Sequence, residues 1–174
     1  MSASRIVLPV GLLGLCLLAA CLAVPVDDGP ARDRTASYSV SNAADGTFLV
    51  TVSFASTVDG FEVAFSNDST RRYPDASSLD EVPRSVVSRA TRVVPLGDDV
   101  QTFSHRLGPG EGVGNTVESL SRGAVTVYTV ATLDGAEPMR ASGVDTCGSS
   151  ATESTLDLRI SSDGSIDAAL TCRD

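Results

Sequence analysis

The chain has 174 residues, of which 42% are hydrophobic and 20% charged, a composition that suits one globular domain with a real core. Asp and Glu number 22 against 13 basic residues, all of them Arg, so the formal net charge is −9 at pH 7. This sign disfavours sequence-independent binding to nucleic-acid phosphates. The absence of Lys removes Schiff-base and phosphate-cradling lysines. One His and four Cys supply little further catalytic or metal chemistry.

The chain opens with a leader: Arg5 is followed by an uncharged apolar segment, residues 6–26. A short positive region, a long apolar run and then small residues are typical of an export signal. Within the run, Leu18-Ala19-Ala20-Cys21 resembles the lipobox of prokaryotic lipoproteins. The resemblance implies cleavage before Cys21, a lipid on the Cys21 thiol and loss of residues 1–20.

Two other fates for the leader stay open. The apolar run is long enough to remain as an uncleaved helix, since about 20 residues span a bilayer, and cleavage after Ala23 would release the body. In each case Arg5 favours keeping the start inside and exporting the rest. We therefore predict a signal over residues 1–20, a membrane-proximal tether over 21–35 and a folded body over 36–174. The body is expected outside the cell, held at the membrane by a lipid or a single-pass anchor.

From residue 36 onward, apolar residues recur mainly at a spacing of two, which indicates strands. The predicted strands cover residues 37–41, 47–54, 61–65, 84–96, 101–107, 123–133, 156–160 and 166–172. Turn residues join the first three into a predicted meander, and Asp163-Gly164 predicts a hairpin between the last two. Both faces of the strand over 123–133 are apolar enough to be covered. Residues 66–83 are expected to form a surface loop with one helical turn near 78–84, and 108–115 a flexible connection.

Seven or eight short strands with almost no helix predict an all-β fold, a single antiparallel β-sandwich. The outline resembles the immunoglobulin fold, although the chain has no Trp for the Cys…Trp…Cys spacing of true immunoglobulin domains.

The two cysteines of the body, Cys147 and Cys172, predict a disulfide, because thiols outside the cytosol tend to oxidise. Closing this loop should stabilise the fold by roughly 3–4 kcal/mol. A two-thiolate metal site is the rival interpretation, but a tetrahedral metal needs more ligands than His105 alone can add. No metal and no cofactor are expected.

The acidic composition has its own explanation. Without residues 1–20 the charge becomes 12 minus 22, or −10, and Asp outnumbers Glu 16 to 6. Together with Arg in place of Lys, this resembles exported proteins of salt-loving prokaryotes and implies an adaptation to salt. A genome of high GC content explains the missing Lys almost as well.

Candidate catalytic groups are few. His105 could form a triad with Asp98 or Asp99 and a serine, but no Gly-x-Ser-x-Gly elbow is present. The glycine-rich residues 108–115 lack the Lys of a phosphate-binding loop. Three acidic pairs could hold calcium or act as an acid–base couple: Asp27-Asp28, Asp80-Glu81 and Asp98-Asp99. None of them has the spacing of a calcium loop.

Two features of residues 66–83 suggest surface roles. Asn67-Asp68-Ser69 fits the N-glycosylation pattern, which makes Asn67 a possible modification site. Arg71-Arg72-Tyr73 could contact an anionic polymer or partner, although a solvated loop explains these residues more simply. By analogy with other sandwiches, a binding site would lie in the loops at one end, residues 66–83 and 107–115.

These observations favour a non-catalytic binding or structural protein of the cell envelope, attached to the membrane and able to contact another envelope protein. The alternative is a small exported enzyme, or an enzyme accessory, that uses carboxylates or His105. The two differ in whether catalytic groups come together in the fold.

Overall fold

The computed structural model describes residues 34–120 and 123–174, and Cys21 and the rest of the predicted leader lie outside these ranges. The described residues form eleven strands, a 3₁₀ turn at Leu79–Glu81 and one short helix, α1, at Arg84–Val87. The strands are β1 (Arg34–Asn42), β2 (Phe48–Ala55), β3 (Gly60–Phe65), β4 (Thr70–Pro74), β5 (Ala90–Leu96), β6 (Gln101–Leu107), β7 (Gly112–Leu120), β8 (Val125–Thr132), β9 (Met139–Thr146), β10 (Glu153–Ile160) and β11 (Ile166–Arg173). Across these residues, no helix has both the length and the apolar character needed to span a membrane.

The strands assemble into three sheets. The first has the order β11-β10-β1-β7, the second β6-β2-β8-β9 and the third β4-β3-β5. Neighbouring strands run antiparallel except β1 and β10, which are parallel. The predicted all-β sandwich is therefore confirmed. The predicted meander is wrong, because β1, β2 and β3 each lie in a different sheet; alternation shows which face a strand buries, not which strand it pairs with.

The second sheet is the middle layer of the molecule. On β8, Val130 packs in a core with the first sheet, whereas Val127 packs in a core with the third sheet. Successive side chains of a strand point to opposite faces, so the first and third sheets cover opposite faces of the second. Phe54 of β2 and Tyr38 of β1 belong to the first core, and Phe61 of β3 to the second. The expectation that both faces of this strand are covered is confirmed.

Three strands are missing from the sequence prediction. β4 lies in the predicted loop 66–83, where an exposed edge strand carries charged side chains in place of an apolar alternation. β7 begins inside the predicted flexible connection 108–115. Its glycines let it run close to β1, since a Cβ on Gly114 would lie only 3.0 Å from the Tyr38 carbonyl oxygen. In β9, the ring of Tyr128 lies directly over Gly143, so no apolar side chain marks that position.

Two predicted boundaries also shift. Residues 84–87 form helix α1 instead of the start of a strand, while the helical turn expected near 78–84 is present at Leu79–Glu81. Strand β1 already pairs with β7 at Arg34, three residues before the predicted strand over 37–41. The Arg34 side chain is buried, and its guanidinium donates a hydrogen bond to the Gly148 carbonyl oxygen. This end of β1 therefore contacts the segment that follows β9.

Cys147 and Cys172 form a disulfide, with their Cα atoms 5.7 Å apart. This is the pair that the sequence predicts. Cys147 follows β9 of the second sheet and Cys172 lies in β11 of the first. The covalent bond therefore joins two sheets at the end of the molecule where β1 begins and β11 ends.

Candidate binding site

His105 packs against aromatic side chains and forms a hydrogen bond with one of them. Its Nε2 lies 2.6 Å from the hydroxyl oxygen of buried Tyr38, and the two ring centroids are 5.8 Å apart. Phe103 completes this aromatic contact, with its centroid 5.7 Å from that of Tyr38. Because Tyr38 belongs to β1 and His105 to β6, the hydrogen bond joins the first sheet to the edge of the second.

The structure does not bring His105 together with Asp98 or Asp99, the acids that a triad would need. Asp98 and Asp99 precede β6, whereas His105 lies six positions further on, about 20 Å along an extended strand. The Asp99 carboxylate instead accepts a hydrogen bond from the Ser56 hydroxyl at 3.0 Å.

Tyr38, which is buried, and Tyr128, which is partly buried, make the stability of the fold sensitive to alkaline pH. Burial raises the pKa of Tyr38 above 10.0, and burial together with nearby Asp145 raises the pKa of Tyr128. Their contribution to the free energy of unfolding is complete below pH 10, where both tyrosines are protonated in the folded and in the unfolded chain. It declines as the pH rises through the folded pKa values, because the unfolded chain loses these protons first. We expect the free energy of unfolding to fall above pH 10, and to fall less in Tyr38→Phe/Tyr128→Phe. Denaturant titrations across this range measure it, with Tyr73→Phe on edge strand β4 as the control; identical pH slopes in the wild type and the double variant would contradict the prediction.

One carboxylate of an acidic pair and one of the glycine-rich loop accept hydrogen bonds from residues that are close in the sequence. The Glu81 carboxylate accepts hydrogen bonds from the backbone and the hydroxyl of Ser77, and the Glu111 carboxylate accepts one from the Gly108 backbone at 2.6 Å. In the ranges that the structure covers, no three His, Cys, Asp or Glu side chains come close enough to hold a metal ion. Asp27-Asp28 lies outside those ranges.

Asn67 lies at the tip of the β3–β4 hairpin and is exposed. Its Oδ1 accepts hydrogen bonds from the Ser69 backbone at 3.2 Å and from the Ser69 hydroxyl at 2.6 Å. Because the whole Asn67-Asp68-Ser69 segment faces solvent, a modifying enzyme could reach it. Glycosylation of Asn67 remains a prediction.

A cavity of about 400 Å³ opens beside this hairpin tip. Its apolar wall comes from one residue each of β3, α1 and the β8–β9 loop: Phe65, Val86 and Pro138. Its polar lining comes from Ser66, Asn67, Ser69, Arg71 and Arg89. No carboxylate lines this cavity, although the chain as a whole is strongly acidic. We call it the arginine pocket.

Strand alternation explains why Arg71 lines the pocket and its neighbour does not. Arg71 pairs with Val63, whose side chain points into the core, whereas Arg72 pairs with Glu62 on the opposite face. The Arg72 Nε donates to the Glu62 carboxylate at 2.8 Å, so that guanidinium has an acidic partner. Arg71 is therefore the residue of the Arg71-Arg72-Tyr73 segment that is available to a ligand.

Arg89 reaches the same pocket from the other side. It follows α1, and its Nε donates to the Ser85 carbonyl oxygen at 2.8 Å, which holds the guanidinium against the helix. The sequence does not point to Arg89, because this residue lies 18 positions from Arg71 in a segment predicted to be a strand. No local pattern links the two residues; only the packing of α1 under the third sheet does so.

A second cavity, of about 390 Å³, lies beside the same β8–β9 loop and is lined by Arg106, Arg140 and Asp134 among others. The two cavities place four arginines at one end of the molecule. The start of β1 at Arg34 and the disulfide lie at the other end of β8 and β9, which are about 25 Å long at about 3.3 Å per residue. The basic end is therefore remote from Arg34 and from the disulfide.

Comparison with solved structures finds only weak similarity. The crystal structure of the human-specific toxin intermedilysin has a TM-score of 0.37 at 6% identity, over 80% of this chain and 24% of that chain. A structure titled "Trapped Toxin" has a TM-score of 0.36 at 6% identity, over 79% of this chain and 23% of that chain. The chain thus spans about a quarter of the length of these solved chains. These TM-scores are too low to inform function.

Among curated proteins, none matches the sequence. A family described as halobacterial Ig domain protein matches residues 1–174, the whole chain. This family agrees with both the immunoglobulin-like outline and the halophile-type composition expected from the sequence, and with the strand-rich sandwich described above. The chain belongs to the halobacterial Ig domain protein family.

Proposed function

We propose that this protein is an exported immunoglobulin-like domain, anchored to the outer face of the cell membrane by a lipid on Cys21, with a binding or structural role in the envelope. The observation that carries this proposal is the lipobox-like Leu18-Ala19-Ala20-Cys21 late in an apolar leader. The Cys147–Cys172 disulfide supports it, since such bonds persist in oxidising compartments outside the cytosol. Membership of an Ig domain family supports a non-catalytic role.

The layout of the fold fits an anchored protein. Strand β1 is the first described element and includes Arg34, and the arginine pocket lies at the opposite end of the strands. A body held by its N-terminal side would therefore present the pocket away from the membrane, where a soluble ligand or a neighbouring envelope protein can reach it. Loops at the ends of a rigid sandwich are the usual place for such recognition.

The mass of the protein isolated from its native membranes tests the anchor. We expect the wild type to lack residues 1–20 and to carry the additional mass of a lipid, whereas Cys21→Ser should keep the whole leader unmodified. Cys16→Ser is the matched control, since it removes a leader thiol outside the lipobox and should be processed like the wild type.

The same measurement separates the other fates of the leader. A full-length wild-type mass in the membrane would support an uncleaved helical anchor, and a protein that begins after Ala23 in the medium would support release. Either result would overturn lipidation of Cys21.

A further inference from the structure

We propose that the arginine pocket binds a small oxyanion, the carboxylate, sulfate or phosphate group of an extracellular ligand, between the guanidinium groups of Arg71 and Arg89. This inference deepens the binding role proposed above and rests on it. It does not depend on how the protein is anchored.

The lining of the pocket is basic, whereas the chain as a whole is acidic. Carboxylates outnumber arginines 22 to 13 in the chain, yet the pocket is lined by two arginines and no carboxylate. Within the described residues, the ion pairs are Arg72 with Glu62 and Arg173 with Glu153, and neither Arg71 nor Arg89 takes part in one. In so acidic a protein, two guanidinium groups that share a cavity with no acid in its lining are a local concentration of positive charge.

The side chains of the pocket also offer hydrogen-bond donors to an anion. A guanidinium has five N–H donors in a planar fork that matches an oxyanion. The Arg89 Nε donates to the Ser85 carbonyl oxygen, and the Arg71 Nη1 lies 3.5 Å from the Tyr73 hydroxyl. The other N–H groups of both side chains remain for a ligand. The hydroxyls of Ser66 and Ser69 line the same cavity and can add donors.

The apolar wall of the pocket affects how strongly salt screens a bound anion. Val86 and Pro138 in the pocket wall are buried, and Phe65 is partly buried beside them. Apolar walls lower the local dielectric and strengthen a contact between opposite charges, while partly buried pairs are screened less by salt than exposed pairs. Arg71 and Arg89 are themselves exposed, so the apolar wall reduces screening only for the part of an anion that lies against it. The wall also offers apolar contact to the rest of the ligand.

The neighbouring cavity lacks one of these properties. It contains Arg106 and Arg140, but Asp134 lines it as well and supplies a negative charge. We therefore expect the arginine pocket to be the stronger anion site. Arg106 also provides a control residue in a similar setting.

The test is calorimetric titration of the detergent-purified full chain with four probes, in the salt concentration at which the protein is folded. The probes are sodium glucuronate, sulfate and phosphate, with glucose as the uncharged control. We expect at least one anion to bind saturably and glucose not to bind. Arg71→Gln and Arg89→Gln should each weaken that binding about tenfold, the scale of a lost charge-assisted hydrogen bond, and Arg106→Gln should leave it unchanged.

The ranking of the three anions identifies which oxyanion the pocket prefers. Asn67→Gln is titrated in parallel, because a glycan on Asn67 would lie at the opening; anion binding in either the wild type or this variant supports the proposal. The proposal is overturned if no anion binds in either protein, or if neither arginine substitution changes the affinity while thermal melts show both variants folded. A failure here leaves the result of the mass measurement on Cys21 intact, so the two proposals fail separately.

Discussion

Replacing both Cys147 and Cys172 with serine is expected to lower the free energy of unfolding by about 3–4 kcal/mol. The disulfide spans a sequence separation of 25 residues, so in the chain-entropy model its loss restores many conformations to the unfolded chain. The effect is large because domains of this size are typically stable by only about 5–15 kcal/mol. It should be accompanied by loosening of β11, since the bond holds this edge strand of the first sheet to the end of β9.

Denaturant titration in salt, monitored by circular dichroism, measures this loss. Wild-type protein treated with a reductant should match the double serine variant, and the double serine variant itself should not respond to the reductant. A loss of less than about 1 kcal/mol would show that the first and second sheets hold together without the bond, against the expectation from loop closure.

Phe61→Ala is expected to cost about 3–5 kcal/mol, the range found when a buried Phe is truncated in a core. Phe61 has 0% exposure and lies in the core between the second and third sheets with Val63, Val93 and Val127. Few side chains can move into the space, because α1 and the 3₁₀ turn close this core with Val86 and Val82. The substitution therefore tests whether the third sheet is an integral layer of the fold.

Phe65→Ala is the matched control, because Phe65 lies on the same face of β3 but is only partly buried. It should cost clearly less than Phe61→Ala. If the two variants lose equally little stability, or if the third sheet unfolds in a separate transition while the other two remain folded, the three layers do not form one cooperative core.

The strands that the sequence predicts best are those with a simple environment. In β2, alternate residues Phe48, Val50, Val52 and Phe54 all pack in one core, and the apolar spacing shows this directly. The β10–β11 hairpin follows from Asp163-Gly164, where Gly164 has a positive φ of 79° and Asp163 accepts hydrogen bonds from Ser165. In both cases the information is local, so the residues themselves are sufficient.

The sequence indicates only one part of the candidate site. The Arg71-Arg72-Tyr73 segment suggested contact with an anion, but nothing showed that Arg71 faces a cavity while Arg72 pairs with Glu62. That division depends on the register of β3 against β4, a strand hidden by its polar composition. Arg89 enters only through the packing of α1. The contact of His105 with Tyr38, a residue 67 positions away, likewise depends on the tertiary structure.

From the order of its residues alone, this protein is determined to be strand-rich and acidic and to contain the lipobox-like Leu18-Ala19-Ala20-Cys21 in an apolar segment, because alternation, charge and short motifs are properties of neighbouring residues. The tertiary structure decided that the strands form three layers, that β1 runs parallel to β10, and that two distant arginines share one cavity. These outcomes depend on which buried faces meet, and that is settled by the packing of the whole chain: any apolar face can cover any other of suitable shape.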